Sequence, residues 1–288
     1  MTTIDYSSDT LITRNCVTSY HRGDHDMKRR TLLGTAAASA LTACANGSHT
    51  PQAKPTLLLV HGAWHGAWCW ERVVLLLGNG GYRSVAVTLP GMGERRSELS
   101  AAIDLDCHIN AVSEAARAIE GPVVLVGHSY AGFVITGTAD RLAASGTLRS
   151  LIYVDAFVPS EGEKASDYMP EEARTKLAAT LAMGDPAYPP IRAELFGLEQ
   201  PEDVAWVQAR LTAQPAATYF QPIRLDNRLG VGIRRSYVAC QSPRLPVFDS
   251  TKARIRADAS WIYQELQTGH DAMITSPDRL AKLLIQLA

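Results

Sequence analysis

The residues best suited to chemistry are a serine and its small neighbours at positions 127–132. The run reads Gly-His-Ser-Tyr-Ala-Gly, directly after an apolar stretch and before a predicted helix. This setting predicts a nucleophile elbow, a strand-to-helix turn so tight that its tip residue is strained and the residues around it must be small. The helix N-terminus behind the turn presents backbone N–H groups to a developing anion. Ser129 is therefore the candidate nucleophile, with Ala131 in place of the usual second glycine.

The elements that must position this serine alternate along the chain. Continuous apolar runs are typical of strands buried on both faces of a parallel sheet, and helical patterns separate them here. The predicted strands are 56–60, 84–88, 123–126, 151–154, 235–240 and 261–266, and the predicted helices are 68–77, 104–120, 131–144, 249–257 and 277–288. This order predicts an α/β fold with a mostly parallel, doubly wound sheet and helices on both faces.

The alternation breaks between about residues 159 and 230, a segment that carries eight of the fifteen prolines. Only short helical pieces, near 171–183 and 202–211, are predicted within it. We interpret it as a helical cap inserted over the carboxyl edge of the sheet. Its large apolar side chains suggest a pocket for a hydrophobic acyl or alcohol group. These side chains are Tyr168, Met169, Met183, Tyr188, Phe196, Trp206, Tyr219 and Phe220.

Composition excludes several classes of function. The 288 residues carry a formal net charge of -1, which gives no electrostatic case for a nucleic-acid partner. Five scattered cysteines with no C-x-x-C pair predict neither a disulfide scaffold nor a zinc site. The sequence has no stretch of about 20 apolar residues, the length that a membrane-spanning helix needs, so we predict no such helix. A catalytic or small-molecule-binding domain remains.

Residues 1–54 are predicted to be an export signal and a flexible tether, and residues 55–288 the domain. A basic region before a modestly apolar stretch is typical of an export signal, and Arg29-Arg30 before Thr-Leu-Leu resembles the twin-arginine type. Met27 is an alternative start. We therefore expect the protein to be exported to the periplasm or cell envelope.

The end of this signal offers two kinds of processing. Leu-Thr-Ala-Cys at 41–44 resembles a bacterial lipoprotein box, in which Cys44 is acylated and becomes the mature N-terminus. Simple cleavage after Ala45 is the alternative. Lipidation is the favoured prediction, and a lipid anchor at Cys44 is then the sole membrane contact that we expect.

Four segments together resemble the α/β-hydrolase superfamily, and most of all its branch of plant methylesterases, hydroxynitrile lyases and bacterial esterases. They are Val-His-Gly-Ala-Trp-His-Gly-Ala-Trp-Cys-Trp at 60–70, the elbow at 127–132, Asp-Ala-Phe-Val-Pro at 155–159 and Thr-Gly-His at 268–270. The resemblance covers about residues 55–288. It implies a serine that attacks a carbonyl, a histidine as its base and an acid that orients the histidine. It implies no metal and no organic cofactor.

The resemblance implies His270 as the base, because it lies in the loop between the last strand and the last helix. The acid departs from the family's pattern: many relatives carry an aspartate just after the strand 237–240, where this chain has Gln-Ser-Pro-Arg. Asp155 and Asp249 are the replacements, with Asp271 as a third option. We favour Asp155, because a carboxylate buried at the end of an apolar strand needs a partner such as an imidazole N–H. Asp249 can equally serve as a helix cap.

The oxyanion hole is predicted to consist of the backbone N–H groups of Ala63 and Tyr130, and Trp64 is predicted to contact substrate. The expected reaction is hydrolysis of a carboxylic ester of a small hydrophobic substrate through an acyl-enzyme. Alternatives are a non-catalytic ligand-binding homologue, a hydroxynitrile lyase, and cleavage of an amide or C–C bond. Lyases of this type carry a lysine directly after the catalytic histidine, where Asp271 stands here. The oligomeric state is left open.

Overall fold

The computed structural model describes residues 54–226 and 232–288. The predicted export signal with Arg29-Arg30, the alternative start Met27 and the lipid-attachment residue Cys44 lie outside the described residues, as do residues 227–230 of the predicted cap. Within the described residues, no helix combines the length and apolarity needed to cross a bilayer.

The first half of the domain alternates strand and helix as the apolar runs predict. The elements are β1 (Thr56–Val60), α1 (Glu71–Asn79), β2 (Ser84–Val87), α2 (Leu105–Arg117), β3 (Val123–His128), α3 (Ala131–Arg141) and β4 (Leu148–Val154). β1 and β3 are buried at every position, as expected of central strands in a parallel sheet. Asp104 caps α2 by accepting a hydrogen bond from the Cys107 N–H at 3.1 Å, which fixes where that helix begins.

After β4 the chain leaves the sheet in short pieces. They are α4 (Glu171–Ala182), β5 (Ala187–Tyr188), α5 (Pro201–Gln208), β6 (Gln214–Pro215) and α6 (Ala217–Phe220), with 3-10 turns at Ala165–Tyr168 and Ala193–Phe196. We call residues 159–226 the cap segment. β5 and β6 pair antiparallel, apart from the main sheet. The cap segment touches the loop after β1, because the Thr212 N–H donates to the Trp64 carbonyl at 2.9 Å.

The alternation resumes after the cap segment. The elements are β7 (Arg234–Cys240), α7 (Asp249–Ala257), β8 (Trp261–Leu266), α8 (Ala272–Thr275) and α9 (Pro277–Leu287). The six long strands lie in the order β2-β1-β3-β4-β7-β8, and every neighbouring pair is parallel. α1 packs on α9 and α2 on α3. The predicted parallel α/β fold is confirmed, and the carboxyl ends of β1, β3 and β4 meet at one edge of the sheet, where α/β folds bind ligands.

Helix ends differ from the sequence prediction by a few residues, and two helical elements differ more. The helix predicted at 68–77 is a 3-10 turn (Ala67–Trp70) followed by α1. Its tighter winding places the indole rings of Trp68 and Trp70 in the core, where both are buried. The one-turn helix α8 is too short for hydrophobic periodicity to predict.

Gly132, in the first turn of α3, marks the closest approach of that helix to another segment. A Cβ at this position would lie 1.8 Å from the carbonyl oxygen of Phe157. The Phe157 N–H donates in turn to the carbonyl oxygen of Ser129 at 3.2 Å. The turn that carries the serine is therefore fixed against the chain that follows β4.

We expect Gly132→Ala to lower the free energy of unfolding by about 3 kcal/mol, because the atom it meets is backbone that cannot readily move aside. Gly78→Ala is the matched control: Gly78 also lies in a helix, and a Cβ there meets nothing within 4 Å. The control should be neutral or stabilise by about 0.5–1 kcal/mol. Urea unfolding of both variants measures this, and equal effects would contradict the close packing at Gly132.

Candidate active site

Three non-glycine residues in the described chain have a positive φ: Trp64 (65°), Ser129 (54°) and Asp155 (43°). They follow the ends of β1, β3 and β4, three adjacent strands of the sheet. Backbone of this kind costs about 1–3 kcal/mol per residue and clusters at functional sites. The strain thus marks one edge of the sheet as the candidate site, and all three are residues that the sequence singles out.

Ser129 is half-buried between β3 and α3. Its N–H donates to the Val154 carbonyl at 3.2 Å, and its own carbonyl accepts from the Gly132 N–H at 3.1 Å. The loop after β1 lies directly against it, since a Cβ at Gly62 would lie 2.9 Å from the Cβ of Ser129. The tight turn and the missing side chain at position 62 together hold the serine at the sheet edge.

Ala63 and Tyr130 flank this contact: Ala63 follows Gly62, and Tyr130 follows Ser129. Among the described residues, neither backbone N–H donates a hydrogen bond. The Tyr130 side chain is buried, and its hydroxyl lies 3.0 Å from Nδ1 of His108. Two unengaged donors beside one serine are the arrangement that an oxyanion hole requires.

The structure brings His270 and Asp155 together, with 2.7 Å between Nδ1 of the imidazole and Oδ2 of the carboxylate. Because an ionised carboxylate only accepts, Nδ1 carries a hydrogen and donates it to Asp155. The other Asp155 oxygen accepts from the Cys240 N–H at 3.1 Å and the Lys252 ammonium at 2.7 Å. Burial alone raises the pKa of Asp155, but the hydrogen bond and charge of His270, then the charge of Lys252, hold it below its ordinary value.

The other two acid candidates lie elsewhere. Asp249 begins α7, and its half-exposed carboxylate lies 3.3 Å from Nε of Arg244. Asp271 follows His270 in the chain but lies 3.1 Å from Nε2 of His65. Of the three carboxylates, Asp155 is the one that His270 contacts through Nδ1.

The His65–Asp271 contact is a second buried pair of an imidazole and a carboxylate. Nδ1 of His65 lies 2.7 Å from the Ala63 carbonyl, and Nε2 faces Asp271, so both ring nitrogens face acceptors. An imidazole satisfies two acceptors only when it is protonated at both nitrogens. Burial lowers the pKa of His65, but the charge and hydrogen bond of Asp271 outweigh it and raise this pKa above its ordinary value. Burial raises the pKa of Asp271, but the charge and hydrogen bond of His65 hold it below its ordinary value. This ion pair joins the loop after β1 to the loop that carries His270.

Three further buried histidines are neutral. Burial lowers the pKa of His61 and His128 to about 3 and that of His108 to about 4. His61 donates from Nδ1 to the Gly62 carbonyl and accepts the Leu89 N–H on Nε2. His128 donates from Nε2 to the His270 carbonyl at 3.1 Å. These rings thus hold the loops of the site in place by hydrogen bonds.

His128, His270 and Asp271 have potential metal-ligand atoms within 4.8 Å of one another. Most of these atoms are already engaged, because His270 bonds Asp155 and Asp271 bonds His65. Nδ1 of His128 has no partner among the described residues and faces Gly62, where a Cβ would lie 2.8 Å from it. We assign the cluster to the hydrogen bonding of the site.

Two phenylalanines stack on the His270 ring. Phe248 lies 5.1 Å from it and Phe196, from the cap segment, 6.3 Å, with interplanar angles of 20° and 26°. The cap segment is locked there, because the Asp271 N–H donates to the Phe196 carbonyl at 3.1 Å and a Cβ at Gly269 would lie 2.2 Å from the Gly197 carbonyl oxygen. The imidazole is therefore shielded from solvent and is only 3% exposed.

Trp64, the predicted substrate contact, is buried between the loop after β1 and the cap segment. Its Nε1–H donates to the Tyr188 carbonyl at 3.2 Å, and its ring lies 5.1 Å from that of Tyr188. The Tyr188 ring lies 5.1 Å from the Tyr219 ring, and the Tyr219 ring lies 5.6 Å from the Tyr130 ring, measured between ring centres. An unbroken chain of aromatic rings thus runs from the cap segment to the residue after Ser129.

Sequence reasoning assigned no role to Lys252 or Phe248. It named Phe196 only as one of eight large apolar cap residues that suggest a pocket for a hydrophobic group, and not as a contact of His270. The one signal for the other two is their spacing of four residues at the start of α7, which places them on the same side of the helix. That spacing says nothing about which distant loop they meet.

Comparisons with known proteins place these features in a family. The family model described as "Alpha/beta hydrolase family" matches residues 57–283. The chain is 34% identical over 240 residues to a carbendazim hydrolyzing esterase from Nocardioides sp., covering 80% of this chain and 98% of that protein. It is 24% identical to Methylesterase 10 from Arabidopsis thaliana, over 80% of this chain and 90% of the relative. An extracellular alpha/beta-hydrolase from a Paenibacillus species has a similar fold, with a TM-score of 0.70, 19% identity and coverage of 81% and 99%.

We expect Asp271→Asn to lower the free energy of unfolding by about 3 kcal/mol at about pH 5.5, because it breaks a buried ion pair. Because the pKa of His65 is raised in the folded protein, the stability that this residue contributes is complete below pH 6.5, its ordinary pKa. That stability is lost as pH rises through the raised pKa of the folded state. Because the pKa of Asp271 is lowered in the folded protein, the stability that this residue contributes is complete above pH 3.8, its ordinary pKa. That stability is lost as pH falls through the lowered pKa of the folded state. The difference between wild type and variant should thus be largest between these two ordinary values.

Urea unfolding across the pH range tests this prediction, with Asp249→Asn as the matched control. Asp249 pairs with Arg244 at the surface, so the control should change the free energy of unfolding by less than about 1 kcal/mol at every pH. A difference for Asp271→Asn that grows as pH rises above neutrality would show that His65 is not protonated in the folded state.

Proposed function

The chain belongs to the alpha/beta hydrolase family and is an esterase-type hydrolase, and from this premise we propose that Ser129, His270 and Asp155 form its catalytic triad. The observation that carries the proposal is the 2.7 Å hydrogen bond from Nδ1 of His270 to Asp155. It fixes the tautomer whose Nε2 can accept a proton. The strained backbone at Ser129 and Asp155 supports the same assignment.

The proposed reaction proceeds in two steps through an acyl-enzyme. His270 Nε2 takes the Ser129 hydroxyl proton as the oxygen attacks the ester carbonyl, and the N–H groups of Ala63 and Tyr130 bind the oxyanion. The alcohol then leaves with the proton from His270. Water, deprotonated by His270, attacks the acyl-enzyme and releases the acid, which restores Ser129. Each oxyanion donor contributes about 10²–10³ in rate.

The substrate we propose is an ester with a small hydrophobic group, and an aromatic group suits the site best. The rings of Trp64, Tyr188, Tyr219 and Tyr130 form a continuous chain of aromatic contacts from the cap segment to the residue after Ser129. Aromatic faces and edges attract planar apolar groups beyond the area that they bury. The relative from Nocardioides is named for carbendazim hydrolysis, so carbendazim belongs among the substrates to be tried.

Two alternatives on the same scaffold fit less well. A hydroxynitrile lyase of this type needs a cation directly after the catalytic histidine, but Asp271 is an anion whose partner is His65. A non-catalytic ligand-binding homologue needs no oriented base, yet His270 is held by Asp155 and shielded by two aromatic rings. Amide or C–C bond cleavage shares the triad, and a substrate panel has to separate it from ester hydrolysis.

We expect the protein to hydrolyse short-chain p-nitrophenyl esters and Ser129→Ala to lower kcat by about 10⁴-fold or more, because no nucleophile remains. Release of p-nitrophenol measures this, with folding checked by circular dichroism. An inert wild type that still binds apolar ligands would favour the ligand-binding alternative.

Two carboxylate variants in the same assay separate the candidates for the acid. Asp155→Asn should lower kcat by about 10³–10⁴-fold, because the amide can hold the wrong tautomer of His270. Asp249→Asn removes a half-exposed surface carboxylate and should change kcat by less than about two-fold. The reverse ranking would transfer the role to Asp249.

We also propose that the protein is exported through the twin-arginine signal at Arg29-Arg30 and anchored to the cell envelope by a lipid on Cys44. The support is the sequence pattern alone. We expect Cys44→Ser to move the protein from the membrane fraction to the soluble fraction, because a single acylated residue is the only anchor proposed. Fractionation followed by immunoblotting measures this, and unchanged membrane association would exclude lipidation at Cys44.

A further inference from the structure

Lys252 is a buried cation beside the proposed triad acid. The residue is 5% exposed, and its ammonium lies 2.7 Å from Oδ1 of Asp155 and 2.8 Å from the Cys240 carbonyl. Lys252 also lines a surface cleft of about 640 Å³. A buried lysine is rare unless it is paired, and here its partner is the carboxylate that orients His270.

The same helix supports His270 a second time. Phe248 lies one turn before Lys252, stacks on the His270 ring at 5.1 Å and has the Lys252 ammonium 5.9 Å from its own ring centre. Phe248, the residue before α7, thus presents an aromatic ring to His270, and α7 itself presents a cation to Asp155.

The other titratable groups around Asp155 and His270 carry no net charge near neutral pH. On β7, burial raises the pKa of Tyr237 and Cys240 well above their ordinary values, and burial also raises that of Tyr263 on β8. His128, at the elbow, is neutral because its pKa is lowered to about 3. In the loop after β8, Asp271 is neutralised by His65. Among the described residues that face Asp155, Lys252 thus supplies the compensating charge.

Building on the proposed triad, we infer that Lys252 is a positioning residue that neutralises Asp155, so that His270 is free to act as a base near neutral pH. A buried carboxylate without a counter-charge stabilises imidazolium strongly and would keep His270 protonated. With the ammonium on one oxygen, the carboxylate still orients the imidazole through the other but attracts its second proton less. Lys252 acts on the serine only through these two residues.

The experiment is the pH profile of kcat/KM for p-nitrophenyl butyrate with the full chain carrying Lys252→Met. Methionine keeps an unbranched stem of similar length and removes the charge. We expect the acidic limb to move up by about one pH unit or more, so that kcat/KM falls about ten-fold at about pH 6 and recovers at about pH 9. A purely structural role would lower kcat/KM by the same factor at every pH.

Two control variants separate charge from shape. Lys252→Arg keeps the cation and should leave the acidic limb within about 0.3 pH unit of wild type. Arg256→Met removes a cation one turn further along α7 that lines the same cleft but pairs with Glu265 at the surface, and it should not move the limb. Equal shifts in Arg256→Met and Lys252→Met would show a general effect of net charge and overturn the inference.

A measurement that needs no turnover keeps this inference distinct from the proposed function. The His270 Nδ1–H that bonds Asp155 should give a far-downfield proton NMR signal, assigned by its loss in Asp155→Asn. In Lys252→Met the titration midpoint of this signal should rise by about one pH unit. An unchanged midpoint overturns the role of Lys252 even if the protein is an active esterase. A raised midpoint in a protein without esterase activity would support Lys252 while the proposed reaction fails.

Discussion

A carboxylate that is fully buried at the end of β4 must find its partners inside the protein, and the candidate site is arranged around that requirement. Asp155 receives the His270 imidazole on one oxygen, and the Cys240 N–H and the Lys252 ammonium on the other. These partners come from the last loop, from β7 and from α7. Burying this one charge therefore ties three separate segments to the strand that follows the elbow helix, and places His270 at the sheet edge where Ser129 lies.

The second buried ion pair applies the same principle to the neighbouring loops. Asp271 is adjacent to His270 in the chain, and its bond to His65 connects the loop that carries His270 to the loop that carries Ala63. Asp155 and Asp271 thus each have a cation of their own, Lys252 and His65.

The aromatic cover completes the site by excluding water. Phe196 and Phe248 stack on the imidazole from the cap segment and from the start of α7. A dry surrounding strengthens the electrostatic interactions within it, so the hydrogen bond to Asp155 and the charge of Lys252 both act with little screening. The cap segment thus contributes to the surroundings of the imidazole through Phe196.

The sequence alone determined the parallel α/β sheet, the position of the elbow and the family, because continuous apolar runs, small residues around a serine and the His-Gly segment are local patterns. It narrowed the acid to Asp155, Asp249 or Asp271 and ranked Asp155 first on the cost of burying an unpaired charge. Only the tertiary structure decided which carboxylate His270 contacts, since Asp155 lies 115 positions away from it in the chain. The charge on His65, from a partner 206 positions away, and the place of Lys252 are likewise set by contacts between distant segments, which periodicity and motif spacing do not encode.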